Sequence, residues 1–339
     1  MADSSPSSAL SPERYLAWLY SPPEQQSVLA ALCQIEAEIA GSLKPGIDHH
    51  VAHTRLQWWR EECERTAQGR PVHPLTRELV RAYGGEGNAG TSPIARITGF
   101  VDTAVWDLAG ATFETRKELT AYCERWATAM FETAASAGPT RATPPSETSY
   151  ATRVASVAAG LESADAPLAP DAPLAPDAPL ASDAPLASDA PPAAARAAQS
   201  PSRLRALGAA VREVELLAGL AREAHAGRLR VPLDELERAS IDVGCLAKPP
   251  WPAALETLLR ERHEALRATI ASGVSQFGRD EQAPIRGPLV WAALAWRLSW
   301  RAQRALPNVI SPRRYHALSD GWHAWRAAHH ATAGKLRLN

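Results

Sequence analysis

Three histidines stand close together in His49-His50-Val51-Ala52-His53. Neutral imidazoles are common zinc ligands. Here they follow Pro45-Gly46, two of them are adjacent, and no Cys or Glu stands nearby at ligand spacing. The reading is a solvated turn and not a metal site; His329-His330 has even less around it. Arg55, Trp58, Trp59 and Glu62 fall at i, i+3, i+4 and i+7, one face of a helix. That face could be a cavity wall with an ion pair at its rim. It could equally be a core seam with the arginine stem lying along it, which ordinary packing favours. Cys33, Cys63, Cys123 and Cys245 share no CxxC spacing and read as small buried apolar groups. The chain carries no G-x-G-x-x-G, Walker loop, G-x-S-x-G or H-E-x-x-H, which removes the common nucleotide, hydrolase and zincin chemistries.

The elements that would position such residues are helices. The sequence is rich in Ala, Leu, Arg and Glu with few β-branched runs, an all-α texture. Ser11-Pro12-Glu13 is a helix start, with Ser as N-cap and Pro at the first helical position. Helices are expected over Pro23 to about Ala40, ending at Gly41, and about His53 to Gln68, ending at Gly69. Others fit 74–83, 94–108, 116–135, 148–161, 204–225, 233–239, 252–277, 288–305 and 312–330. From Asp165 to Pro192 the chain repeats DAPLAP and DAPLAS. Proline at that density forbids helix and central strand, and the unit has little apolar surface to offset its ordering entropy. A disordered Pro/Ala-rich loop over 165–200 is expected, inserted between 11–164 and 201–330 of one helical domain. Residues 1–10 and 331–339 read as flexible ends.

The 339 residues contain 45% apolar residues, enough for a large core. Lys and Arg number 36 against 37 Asp and Glu, so nothing suggests a nucleic-acid partner. No apolar run of membrane-spanning length is present, and the N-terminus lacks the pattern of an export signal. The expectation is a cytoplasmic chain, with peripheral membrane contact left open.

Four segments, in order, resemble the squalene/phytoene synthase family. They are RYLAWLYSPPEQQSVLAALCQIEAEIA from Arg14, RLQWWREECERTAQGRPVHPLTREL from Arg55, DTAVWDLAGATFETRKELTAYCERWATAM from Asp102, and GRLRVPLDELE from Gly227. The resemblance implies an isoprenoid-synthase-like bundle of helices around an apolar cavity. It also implies two acidic helices facing each other across the mouth, where Mg²⁺ would hold prenyl diphosphates for head-to-head coupling. Mg²⁺ requires hard oxygen ligands, and carboxylates four residues apart share a helix face.

The acidic positions implied by the family are mostly gone. In the first helix they fall on Ala37, Glu38 and Gly41, with Glu36 turned about 200° from Glu38. In the second, REVELLAGLARE, the family's Gln falls on Arg212, its Asn on Glu215, its first Asp on Gly219 and its second on Glu223. Two positions where the family carries cavity glycines are Thr128 and Phe131. The pattern is similar to a branch of the family that keeps the Trp-Trp helix but lacks the Asp motifs. Glu36, Glu38, Glu215 and Glu223 are therefore the candidate mouth acids. Arg55, Trp58, Trp59, Glu62, Tyr122 and Phe131 are candidate cavity-lining residues, and no catalytic residue is assigned. The expected function is a non-catalytic protein binding an isoprenoid-like or other lipid ligand, or a protein partner, without a cofactor. The alternatives are an active Mg²⁺-dependent prenyltransferase and a ligand-free helical scaffold.

Overall fold

The computed structural model describes residues 10–44, 46–83, 93–137, 193–309 and 317–339. Chain contacts separate two units, Met1–Thr140 with Ala198–Asn339, and Arg141–Ala197. The DAPLAP repeat and the helix expected over 148–161 lie in the second unit, outside the described residues. Of that unit, only 193–197, the start of a helix, are described.

The described part of the first unit is all-helical, as the composition requires. Helix α1 (Pro12–Leu19) begins as its sequence dictates: Ser11 Oγ accepts from the Arg14 amide, and Pro12 needs no donor. It is followed by α2 (Pro23–Gly41), α3 (His49–Ala67) and α4 (Pro74–Ala82). Asp48 caps α3, accepting from the amides of His50 and Val51, so the helix starts four residues earlier than expected. His49, His50 and His53 are exposed on that first turn. Gly69 ends the segment with φ +73°, a conformation that favours glycine. A short 3₁₀ turn, Pro93–Ile97, leads into α5 (Thr98–Leu108). Next, α6 (Arg116–Ala127) runs on through a π-helical turn, Thr128–Glu132.

Helix α7 (Ala193–Ala218) begins within the stretch expected to be loop and separates at Gly219 from α8 (Leu220–His225). The single helix expected over 204–225 is thus two. The remaining helices are α9 (Leu233–Arg238), α10 (Ala253–Ser275), α11 (Arg279–Gln282), α12 (Arg286–Ala305) and α13 (Ala317–Thr332). Helix α12 packs against α1, α10 and α13; α2 packs on α4, and α3 on α5. The chain end is held down, contrary to the flexible tail expected over 331–339. Leu336 is buried, and its amide donates to Gln282 Oε1 at 2.9 Å.

The middle of the bundle is filled. Trp126, Phe131 and Trp291 are all buried, and their rings pack with centroids 5.3 to 6.0 Å apart. Phe131 leans on Gly208 of α7, where an added Cβ would lie 2.8 Å from the Phe131 ring and 2.9 Å from Ala127 Cβ. Glycine at 208 is therefore what lets the aromatic plug seat. Gly208→Ala is expected to destabilise the protein by about 2 kcal/mol, in the range for overpacked cores. The penalty should shrink in a Phe131→Leu background, as urea unfolding of the four proteins of that cycle would reveal. An unchanged penalty would mean the ring is not the obstacle.

Candidate functional site

A cavity of about 730 Å³ opens beside α1, α7, α8 and α12. Its walls carry apolar patches from Leu43, Leu216, Ala295 and Leu298, and the edge of Trp291. Its lining has seven basic side chains and four carboxylates.

The floor is a cluster of four charges resting on two indoles. Arg14 and Arg212 lie between Glu36 and Glu215. Arg14 is hydrogen-bonded to Glu36 and 3.9 Å from Glu215. Arg212 is 3.8 Å from Glu36 and 3.2 Å from Glu215. From below, the Trp126 indole donates to Glu36 Oε1 at 2.6 Å and the Trp291 indole to Glu215 Oε1 at 2.9 Å. The guanidiniums sit over the same rings, Arg14 5.3 Å from Trp291 and Arg212 5.0 Å from Trp126. Burial alone would raise the pKa of Glu36, but Arg14 and Arg212 offset it and hold the carboxyl below its usual range.

A second cluster forms on the α8 side. Glu223 accepts from Arg228 Nε at 2.9 Å and Arg230 Nη2 at 3.0 Å. Arg230 is almost fully buried, donates to Asp107 at 2.8 Å and lies over the Tyr122 ring. Tyr122 donates to the other oxygen of Asp107 at 3.1 Å. Burial pushes the Tyr122 phenol up to about 12, with Asp107 adding to the effect. Burial opposes ionisation of Glu223 as well, yet the arginine hydrogen bonds and charges bring it down to about 2.

The structure thus brings Glu215 and Glu223 into the cavity lining, beside Glu13 and Asp107, sets Glu36 behind the lining residues Arg14 and Arg212, and leaves Glu38 exposed on the far side of α2. The face Arg55, Trp58, Trp59 and Glu62 does not line it. Arg55 and Trp58 are exposed, while Trp59 and Glu62 are buried under α4. Glu62 accepts from the amides of Val72 and His73, both at 2.8 Å, and from the Thr76 hydroxyl. His73 packs on both tryptophans, with centroids 4.9 and 5.9 Å away. That segment is a clip joining α3 to α4. Tyr122 reaches the cavity only through Asp107 and Arg230, and Phe131 fills the core.

Sequence reasoning missed Arg14, Trp126, Trp291, Asp107, Arg228 and Arg230 as members of the site. Arg228 and Arg230 were findable. They stand two apart in a non-helical stretch, where alternate side chains share a side. Arg14, Trp126 and Trp291 come from three distant segments, and no local pattern joins them.

The Mg²⁺ that the family pattern implies needs carboxylate oxygens free to face it. These residues do not fit that demand. Both oxygens of Glu36 and Glu215 are engaged by arginine and tryptophan donors, and those of Asp107 by Arg230 and Tyr122. Glu223 Oε2 is held by Arg228 and Arg230, its Oε1 has only Arg222 at 3.7 Å, and position 219 offers no side chain. Among the described residues, no three His, Cys, Asp or Glu side chains gather into a metal-holding group.

This all-α fold has counterparts among solved proteins. A crystal structure of a dehydrosqualene synthase in complex with ligand matches with a TM-score of 0.59. The match covers 94% of this chain and 90% of that one, at 12% sequence identity. The squalene/phytoene synthase family model matches residues 8–319, and the chain belongs to that family. No match was found among curated protein sequences.

Because Glu223 has a folded-state pKa below its unfolded value, its stabilisation is complete above about pH 4.5 and is lost as pH falls toward 2. Glu223→Gln should cost on the order of 3 kcal/mol at pH 6. Its deficit against the parent should fall by about half near pH 3, where Glu223 of the unfolded parent is protonated while the folded one is still ionised. Urea unfolding at several pH values checks this. A deficit constant down to pH 3 would refute the pairing.

Proposed function

We infer that this chain is a non-catalytic member of the squalene/phytoene synthase family, with a mouth suited to an anionic amphiphile bound without metal. The observation that carries the reading is the engagement of the mouth carboxylates by arginine. Head-to-head coupling in the family, as the resemblance implies it, depends on oxygens that hold Mg²⁺ against diphosphate. Here Glu36, Glu215, Glu223 and Asp107 face cations of the protein itself. A divalent ion would have to displace arginines held by desolvated hydrogen bonds, at a cost of several kcal/mol for each pair broken.

Basic side chains outnumber acidic ones on the cavity walls, which favours an anionic head group over a cation. Leu43, Leu216, Ala295 and Leu298 give an apolar tail limited contact there. The Trp126–Phe131–Trp291 packing argues against a deep tunnel for a long isoprenoid chain. It leaves the ligand-free scaffold as the second reading, supported by that same filled core.

The test is incubation with farnesyl or geranylgeranyl diphosphate and Mg²⁺, with released diphosphate measured. No release above a protein-free control is expected. Release that falls in Glu223→Gln would overturn the non-catalytic reading. Binding of farnesyl diphosphate measured calorimetrically in EDTA separates the two remaining readings. Metal-free binding that weakens about tenfold in Arg14→Ala, the loss typical of one charge-assisted hydrogen bond, supports the mouth site. No binding leaves the scaffold.

A further inference from the structure

The last long helix is built inside out in terms of size. Along α13 the residues facing the bundle are small: Ala324, Ala327, Ala328 and Ala331 are all buried. The large ones face solvent. Leu318 is 79% exposed, Trp322 51% and Trp325 52%. They stand at i, i+4 and i+7, followed at i+11 by exposed His329, so they form one stripe along one face. Burying these tryptophans would have been the ordinary use of their apolar area. Seating α13 closely on α12 uses alanines instead and leaves the indoles outside.

The exposed charges of the helix and the tail that follows it have one sign, although α11 and α1, which pack on α13, carry Asp280, Glu281 and Glu13. From 318 to 339 the exposed charged side chains are Arg326, Lys335 and Arg337. The sole acid in that span, Asp320, is buried and held by Arg301 at 2.8 Å and Arg297 at 3.6 Å. Arg326 lies over the Trp322 ring, 5.5 Å from its centre. This local cationic excess stands out in a chain whose formal net charge is −1. Among the described residues no helix is long and apolar enough to cross a membrane. A stripe of indoles and a leucine whose own helix and tail expose only cations matches the boundary of an anionic bilayer. Tryptophan settles at head-group depth, and Lys and Arg meet lipid phosphates there.

We propose that the outer face of α13, formed by Leu318, Trp322 and Trp325 with Arg326, Lys335 and Arg337, docks the protein onto an anionic phospholipid surface. The surface is separate from the mouth residues, so it stands whatever the mouth binds.

The test is co-sedimentation of the full chain with vesicles of phosphatidylcholine alone or mixed with phosphatidylglycerol. Binding is expected to the mixed vesicles, to weaken with added salt, and to be much lower with phosphatidylcholine alone. Trp322→Ser with Trp325→Ser should weaken it by about tenfold or more. Arg326→Glu with Lys335→Glu and Arg337→Glu should do the same through charge alone. All these side chains are exposed, so unchanged thermal unfolding would certify both variants as folded. If one variant fails that control, the other carries the test. Equal sedimentation with both vesicle types, or binding unchanged in the folded variants, would overturn the proposal. So would a concentration-dependent dimer in lipid-free buffer that the tryptophan double variant dissolves, which would assign the face to a second copy of the chain.

Discussion

The arrangement around Glu36 and Glu215 depends on two indole N–H groups. Trp126 and Trp291 are core residues, yet each sends its only polar atom up to a carboxylate at the cavity floor. A buried indole needs an acceptor, and a part-buried carboxylate needs donors and counter-charge. Arg14 and Arg212 supply the counter-charge and cover the ring faces at the same time. Removing any one partner would leave another buried and unsatisfied, which costs far more than the contact itself contributes. The aromatic plug and the ionic floor are therefore coupled, and a change in one is felt in the other.

That coupling gives the acidic side chains of α2, α7 and α8 counter-charges from the chain itself. Neighbouring carboxylates repel each other unless a cation sits between them. Here guanidinium groups take that position covalently attached to the chain, from α1, α7 and the segment after α8. Gly219 contributes to the same outcome. It interrupts the helix at the position where the family pattern has an aspartate, so α8 starts afresh. Glu223 then lies within reach of Arg228 and Arg230.

Much of the helical framework could be read from local sequence, because its causes are local. Ser11-Pro12 caps α1, Gly69 closes the turn after α3, and the Ala/Leu/Arg/Glu composition favours helix throughout. The boundaries that moved have local causes as well: the Asp48 cap pulled the start of α3 forward, and Gly219 split the helix expected over 204–225. The face Arg55–Glu62 misled for a different reason. Helical spacing identifies which residues are neighbours but not what the neighbours face. Trp58 turned outward, while Glu62 turned toward the amides of Val72 and His73.

By itself the sequence determined an all-α chain of the squalene/phytoene synthase pattern. Helix propensity, capping and motif order act over a few residues, and side-chain identity limits what a position can ligate. Only the tertiary structure decided what the acidic side chains at the cavity face. Arg14, Glu36, Trp126, Arg212 and Trp291 belong to five different helices, and their interactions exist only once those helices pack. The same packing placed alanines inward and tryptophans outward on α13, because close approach to α12 admitted only small side chains between them.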